Sequence, residues 1–331
     1  MTIAYEALEK APRLLMEAPL RPIQGHRFQP TGFPHLGPAR YTLPDGTEML
    51  LVDSAQSVAN RMELACWDEA EDDLIPELRG LPYIRVVTPE GRTLTNSVLE
   101  SHRINSPYIL EGEDTTVFDR LKEDTAGMEI GAVNVRALAR CIFKYDANAV
   151  IHGLFLAKKN LAGGRLRLPR LLSGFVEAAD VRPAESGGVK IDRVDPSGDT
   201  NKGFGHVPFP RTEFVADEIT AYFNLDLALL RGYGLPTEAE HLLIALSLFK
   251  IRRFLSTGLR LRTACDLEVD GDLVVTRPEG FAVPDEASLL AEASRLVREC
   301  ADAGLFAEPP VTTVEWKGTT RKARRNEEAE A

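Results

Sequence analysis

Apolar positions recur along the chain with two different periods, and the predicted elements follow from them. Helical spacing is clearest in "LPTEAEHLLIALSLFKIRRFLSTG" (235–258), where Leu242, Leu246, Phe249 and Leu255 fall on one face. Thr237 and Glu240 stand at capping-box spacing, and Gly258 is the expected stop. "DEASLLAEASRLVRECADAGL" (285–305) predicts a second amphipathic helix, and residues 4–17 a short one through Leu8, Leu14 and Leu15. In "EMLLVDSAQSVANRMELACWDEA", Leu50 to Val52 end a strand and Ser54 offers a hydroxyl as N-cap. Val58, Met62 and Ala65 then form the inner face of the helix. Residues 94–105 and 115–125 also predict helices.

Strand patterns fill much of the rest. "YIRVV" (83–87) precedes the turn "PEG". Residues 132–158 predict a helix or strand into Phe143, a turn at "YDAN", and a strand into Phe155. Residues 168–181 predict a strand, and 219–230 are β-rich. Residues 259–278 predict two strands joined by "VDGD", because Asp-Gly tolerates positive φ. Residues 18–48 hold one short strand and a long loop, punctuated by Pro and Gly. A second Gly/Pro/Asp-rich excursion covers 182–214; so long a loop is functional or disordered. Strands and helices alternate without a sustained βαβ rhythm, so the class is α+β. Residues 1–315 read as one elaborated domain and 316–331 as a charged, disordered tail.

Composition narrows the function. The chain has 331 residues, 44% of them hydrophobic, enough for a sizeable core. Its four cysteines are far apart and form no CxxC pair, which argues against a zinc ribbon or a secreted scaffold and fits a reducing cytoplasm. No signal peptide or membrane-length apolar run is visible, so no membrane partner is expected. HExxH, GxSxG and GxGxxG are absent, and "GDTNKGFG" lacks the GK[ST] of a phosphate loop. The six histidines show no ligand spacing, so neither a metal nor a cofactor is expected.

The net charge of −11 argues against general affinity for nucleic acid, yet the cations are clustered. "RPIQGHRFQPTGFPHLGPARY" (21–41) contains no carboxylate and offers Arg21, His26, Arg27, Phe28, Gln29 and Arg40. "GGRLRLPR" supplies Arg165, Arg167 and Arg170; the first two share a face if extended. The excursion supplies Lys190, Arg193, Lys202, Phe204, His206 and Arg211. "FKIRRFLSTGLRLR" supplies Lys250, Arg252, Arg253, Arg260 and Arg262. "DSAQSVANRME" adds Ser54, Gln56, Asn60 and Arg61 near a helix start, where free N–H groups suit a phosphate. Each cluster alone is explained by a solvated face, and the helix start by capping. Together, cations, aromatics and glycines in loops suit single-stranded RNA.

"LRPIQGHRFQPTGFPHLGPARY" followed by "DSAQSVANRME" resembles the CRISPR-associated RAMP protein of type I-G (formerly I-U) systems. This is the seventh-class Cas subunit, the backbone of an RNA-guided surveillance complex (Cascade). "ARCIFKYDANAVIHGLFLAK", "KIDRVDPSGDTNKGFGHVPFPRTEF" and "LFKIRRFLSTGLRLRTACDLE" are similar to the same family. The resemblance implies a modified RRM or ferredoxin-like palm with inserted subdomains and a protruding thumb-like loop or hairpin, placed in 182–214. It implies crRNA, further copies of the chain, other Cascade subunits and, through the guide, target DNA as partners. It implies a non-catalytic, cytoplasmic role. The competing expectation is a metal-dependent endoribonuclease using Asp53, as in related type III subunits; no second carboxylate accompanies it in sequence.

Overall fold

The computed structural model describes residues 2–317 apart from Pro34 and Gly258. The expected stop at Gly258 and nearly all of the tail therefore lie outside the described residues. The centre is an antiparallel sheet that places the first strand in its middle, between strands from the far end of the chain. Its strands are β1 (Leu14–Pro22), β2 (Arg40–Thr42), β3 (Glu48–Asp53), β4 (Leu172–Ala179), β7 (Glu218–Leu225), β8 (Arg260–Arg262), β9 (Cys265–Val269) and β10 (Val274–Arg277). Between β4 and β7 stand β5 (Arg182–Lys190) and β6 (Val207–Val215), a separate hairpin. The order across the sheet is β8, β9, β1, β7, β4, β3, β2, with β10 also paired to β1.

Side chains alternate across this sheet, as they must in a strand. Leu14, Met16, Ala18 and Leu20 of β1 are buried, as are Ile219, Ala221, Phe223 and Leu225 of β7. That face packs on α1 (Ala55–Leu64) and α2 (Thr237–Ser256), where Phe223 meets Phe254 edge-on at 6.1 Å. A third helix, α3 (Glu286–Asp302), lies along α2 and buries Leu289, Ala293, Leu296 and Val297. Residues 65–171 form an inserted body, in which strand Tyr83–Val87 pairs in parallel with Val311–Glu315.

Several expectations need correction. Residues 4–17 are not a helix: after a turn at Tyr5–Ala7 the chain enters β1, whose alternation overrides the helical spacing. Residues 94–105 begin as strand Thr93–Asn96, ended when the Asn96 carboxamide accepts from the Val98 and Leu99 N–H groups. "YDAN" is a helix junction, with Asp146 capping Ala147–His152. Thr237 is the first helical residue rather than a cap, so no capping box forms, and α2 is buried on most sides. "VDGD" does not close a ladder: β9 and β10 pair with successive stretches of β1, not with each other. The excursion is a hairpin with nine paired positions, from Arg182 opposite Val215 to Lys190 opposite Val207. Helix 115–125, strand 83–87 and strand 168–181 occur near their expected places.

Candidate nucleic-acid interface

The site is built around the start of α1. Ser54 accepts from the Ser57 N–H and caps the helix, as its position predicts. The preceding residue, Asp53, ends β3 with its carboxylate fully buried. Arg262 approaches one carboxylate oxygen at 2.5 Å and Arg61 the other at 3.3 Å. Arg61 also donates to the carbonyls of Arg260 and Leu261, and Arg262 to that of Gln29 at 3.1 Å. One buried acid thus joins β3, α1, β8 and the N-terminal stretch.

The N-terminal stretch lies across the root of the β5–β6 hairpin. Phe28 and Phe214 exchange both backbone hydrogen bonds at 2.9 Å, and Gln29 N–H reaches the Ala264 carbonyl at 2.7 Å. Gln29 accepts from Arg211 at 3.3 Å, and Arg27 meets Glu213 at 3.3 Å. On the other side of α1, Arg170 donates to the Ala55 carbonyl at 3.1 Å and to Gln56 at 2.9 Å; Gln56 donates to Asn60 at 2.8 Å. Burial, with Arg103 nearby, lowers the pKa of the Arg170 guanidinium. Five stretches far apart in sequence therefore converge: Arg27 to Gln29, Asp53 to Arg61, Arg170, Arg211, and Arg260 with Arg262.

A groove of about 430 Å³ opens beside this hub. Arg61, Arg253 and Arg260 line it together with Trp67, Phe254 and Leu259. Sequence reading missed Trp67, because it sits in the acidic run "CWDEAEDD" with no neighbouring cation. A second opening of about 380 Å³ lies among Ile23, Gln24, Arg27, Ala264 and Asp266.

Other predicted residues fall elsewhere. Phe28 is in the core, so its ring is not a stacking platform here. Lys250 is fully buried; its ammonium donates to Asn148 at 2.6 Å and sits 2.8 Å from His152 Nε2, and burial lowers its pKa. Its place on the inner side of α2 removes it from any surface. Arg165 turns onto the carbonyls of residues 128–131, and Arg252 onto those of Val283 and Pro284. Both act as caps for loops. Arg167 is exposed on strand Leu166–Leu168. His26 is exposed. Arg21 pairs with Glu268 and Asp270, and Arg40 with Glu48. The N-terminal stretch is thus free of acid in sequence but not in space.

Lys190, Arg193, Lys202, Phe204 and His206 cluster at the hairpin's end, away from the hub. The tip is folded. The Asp192 carboxylate accepts from the N–H groups of Val194, Asp195 and Gly205, and those bonds hold its pKa below the usual carboxylate range. Gly205 has φ of 76°, and a Cβ there would meet the Gly198 carbonyl at 2.5 Å. Val194 is 95% and Phe204 52% exposed.

A family model described as CRISPR-associated protein GSU0053 (Cas_GSU0053) matches residues 14–183, half of the chain. The chain belongs to that family. Two solved structures are similar to it. A chain of a "CRISPR RNA-guided surveillance complex, pre-nicking" is 15% identical with a TM-score of 0.38, over 77% of this chain and 73% of that one. Csc2 of Thermofilum pendens is 10% identical with a TM-score of 0.32, over 92% and 81%. No curated protein matches. Among the described residues, no group of His, Cys, Asp and Glu side chains is arranged to hold a metal ion. No helix there is long and apolar enough to cross a membrane.

Proposed function

We propose that the chain is the crRNA-binding backbone subunit of a type I-G surveillance complex, polymerising along the guide and presenting it to target DNA. The observation that carries this reading is the convergence of five distant stretches on one arginine hub, in a member of a CRISPR-associated family. Guanidinium groups held in place around a groove suit a phosphate backbone, which gives affinity without sequence preference.

The RRM or ferredoxin-like reading of the palm is supported by strand order. Taking β1, α1, β4, β7, α2 and β9 as the core gives strand, helix, two strands, helix, strand. In the sheet the fourth of these strands lies next to the first, followed by the third and the second. The β5–β6 hairpin is the natural candidate for the thumb, because it leaves the sheet between the second and third core strands. The non-catalytic reading is favoured by Asp53 itself. Both its oxygens are taken by guanidinium groups, which leaves it poorly suited to a metal or a general-base role. Other Cascade subunits and a cytoplasmic setting belong to the same proposal.

Co-purification tests it. Protein expressed with its repeat–spacer transcript should retain one discrete RNA of repeat-plus-spacer length, and Arg61→Glu should lose it. Recovery of heterogeneous RNA, or none, would sink the proposal.

A further inference from the structure

The helices cover one face of the central sheet. The opposite face, on β2, β4 and β7 with the adjoining β1, is half open and chemically unlike the arginine hub. Glu17 stands opposite Tyr222, Tyr222 opposite Phe175, and Thr220 opposite Glu177. The rings of Phe175 and Tyr222 stack with centroids 5.2 Å apart and planes 26° from parallel. Tyr41 of β2 donates to Glu177 at 2.7 Å, and Glu218 begins β7 on the same face. Among the described residues, no cation lies within salt-bridge distance of Glu17, Glu177 or Glu218. Burial raises the pKa of the Tyr222 hydroxyl, and the fields of Glu17, Glu177 and Glu218 add to that rise, so all three surround the same ring pair. Arg21, at the rim, is already matched by Glu268 and Asp270.

Such a face repels phosphate, and a purely apolar ligand would strand its carboxylates. A cation satisfies both parts: aromatic faces attract guanidinium and ammonium groups, and carboxylates form charge-assisted hydrogen bonds with them. Glu17 and Glu177 are two strands apart and two residues out of register, about 12 Å. That separation is too wide for one ion but within reach of successive cationic side chains on an extended chain.

We propose that this open face docks an arginine- or lysine-bearing extended segment of a partner protein. The surface is separate from the groove and independent of RNA binding.

The test uses a fluorescein-labelled 12-residue peptide of alternating arginine and serine, read by anisotropy with the full chain at physiological salt. The E17Q/E177Q/E218Q variant should bind about tenfold more weakly, the sum of three modest ion pairs and the cation's hold on the rings. Tyr222→Leu, which keeps every charge, should weaken binding about threefold. The control E69Q/E71Q/E77Q variant removes as much charge elsewhere and should bind like wild type. Equal losses in both triple variants would reduce the effect to net charge and overturn the proposal, and so would full binding by Tyr222→Leu. Neutralising Arg321, Lys322, Arg324 and Arg325 to glutamine should change nothing. Tighter peptide binding in that variant would mean that the chain's own tail fills the face, and the partner assignment would fall.

Discussion

The arginine hub and the hairpin tip both concentrate cations, but in different states. At the hub most arginines are tied, and among the described residues there only Arg260, 3.6 Å from Asp266, is held as loosely as a cation at the tip. Arg61 and Arg262 share Asp53, Arg27 and Arg211 flank Glu213, Arg253 meets Glu286, and Arg260 faces Asp266. At the tip, among the described residues, Lys190 and Arg193 have no carboxylate within ion-pair distance, and Lys202 reaches only Asp199 at 3.7 Å. The difference separates two tasks. On the proposed reading, tied guanidinium groups lose little freedom when a phosphate arrives, which suits the hub to positioning. Loose cations beside an exposed ring lose more, so the tip is suited to adaptable contact.

If that contrast holds, the largest effect comes from Asp53. Asp53→Ala leaves two partly buried guanidinium groups facing each other without their shared anion. Global stability should fall by about 3 kcal/mol, the low end for breaking a buried pair because both arginines retain some solvent. Urea unfolding measures it, and a loss under about 1 kcal/mol would show that the hub is not held by this acid. Next is Phe204→Ala, which should leave unfolding unchanged while RNA affinity drops by about 1–3 kcal/mol if the ring stacks on a base. Unchanged affinity would reduce the tip to a spacer. A smaller effect follows at Lys190: Lys190→Ala should reduce the slope of log K against log salt by no more than about 0.7. A wholly salt-independent interaction would remove the electrostatic basis of both regions.

The smallest effect is in pH. Asp192 is held below the ordinary carboxylate range by three backbone N–H groups. The tip's order from this source is therefore complete above the unfolded-state value and is lost as pH falls through the folded one. Hydrogen exchange at Val194, Asp195 and Gly205 should speed up with acid beyond the intrinsic trend, ahead of global unfolding. Cleavage between Lys190 and Arg211 by protease should be faster in Asp192→Ala than in wild type at neutral pH, and suppressed in both by bound RNA. Equal rates in all states would show that Asp192 does not hold the tip.

How legible these regions were depended on distance along the chain. The cap at Ser54, the helix after it and both long helices near the end were readable because their causes lie within a turn or two. The strand at 14–22 was misread because Leu14 and Leu15 fit either period; the burial of Leu14, Met16, Ala18 and Leu20 comes from a neighbour some two hundred residues away. The basic stretches were visible, but not that Lys250 points inward, since its partners Asn148 and His152 are about a hundred residues earlier. Nor could sequence show that Glu213 and Glu268 neutralise a stretch that contains no acid.

The mutual hydrogen bonds between Phe28 and Phe214 make the hairpin's root a fulcrum. A nine-residue strand extends about 30 Å, so a 10° pivot there sweeps the tip through about 5 Å while the root shifts by a fraction of that. Arg211 lies close to this pivot, on the tip side, hydrogen-bonded to Gln29 and through Gln29's carbonyl linked to Arg262. A swing at Phe204 is thereby geared down to a small displacement at the arginine hub. The hairpin has the geometry of a lever whose long arm faces the solvent and whose bearing is the carboxylate-free stretch.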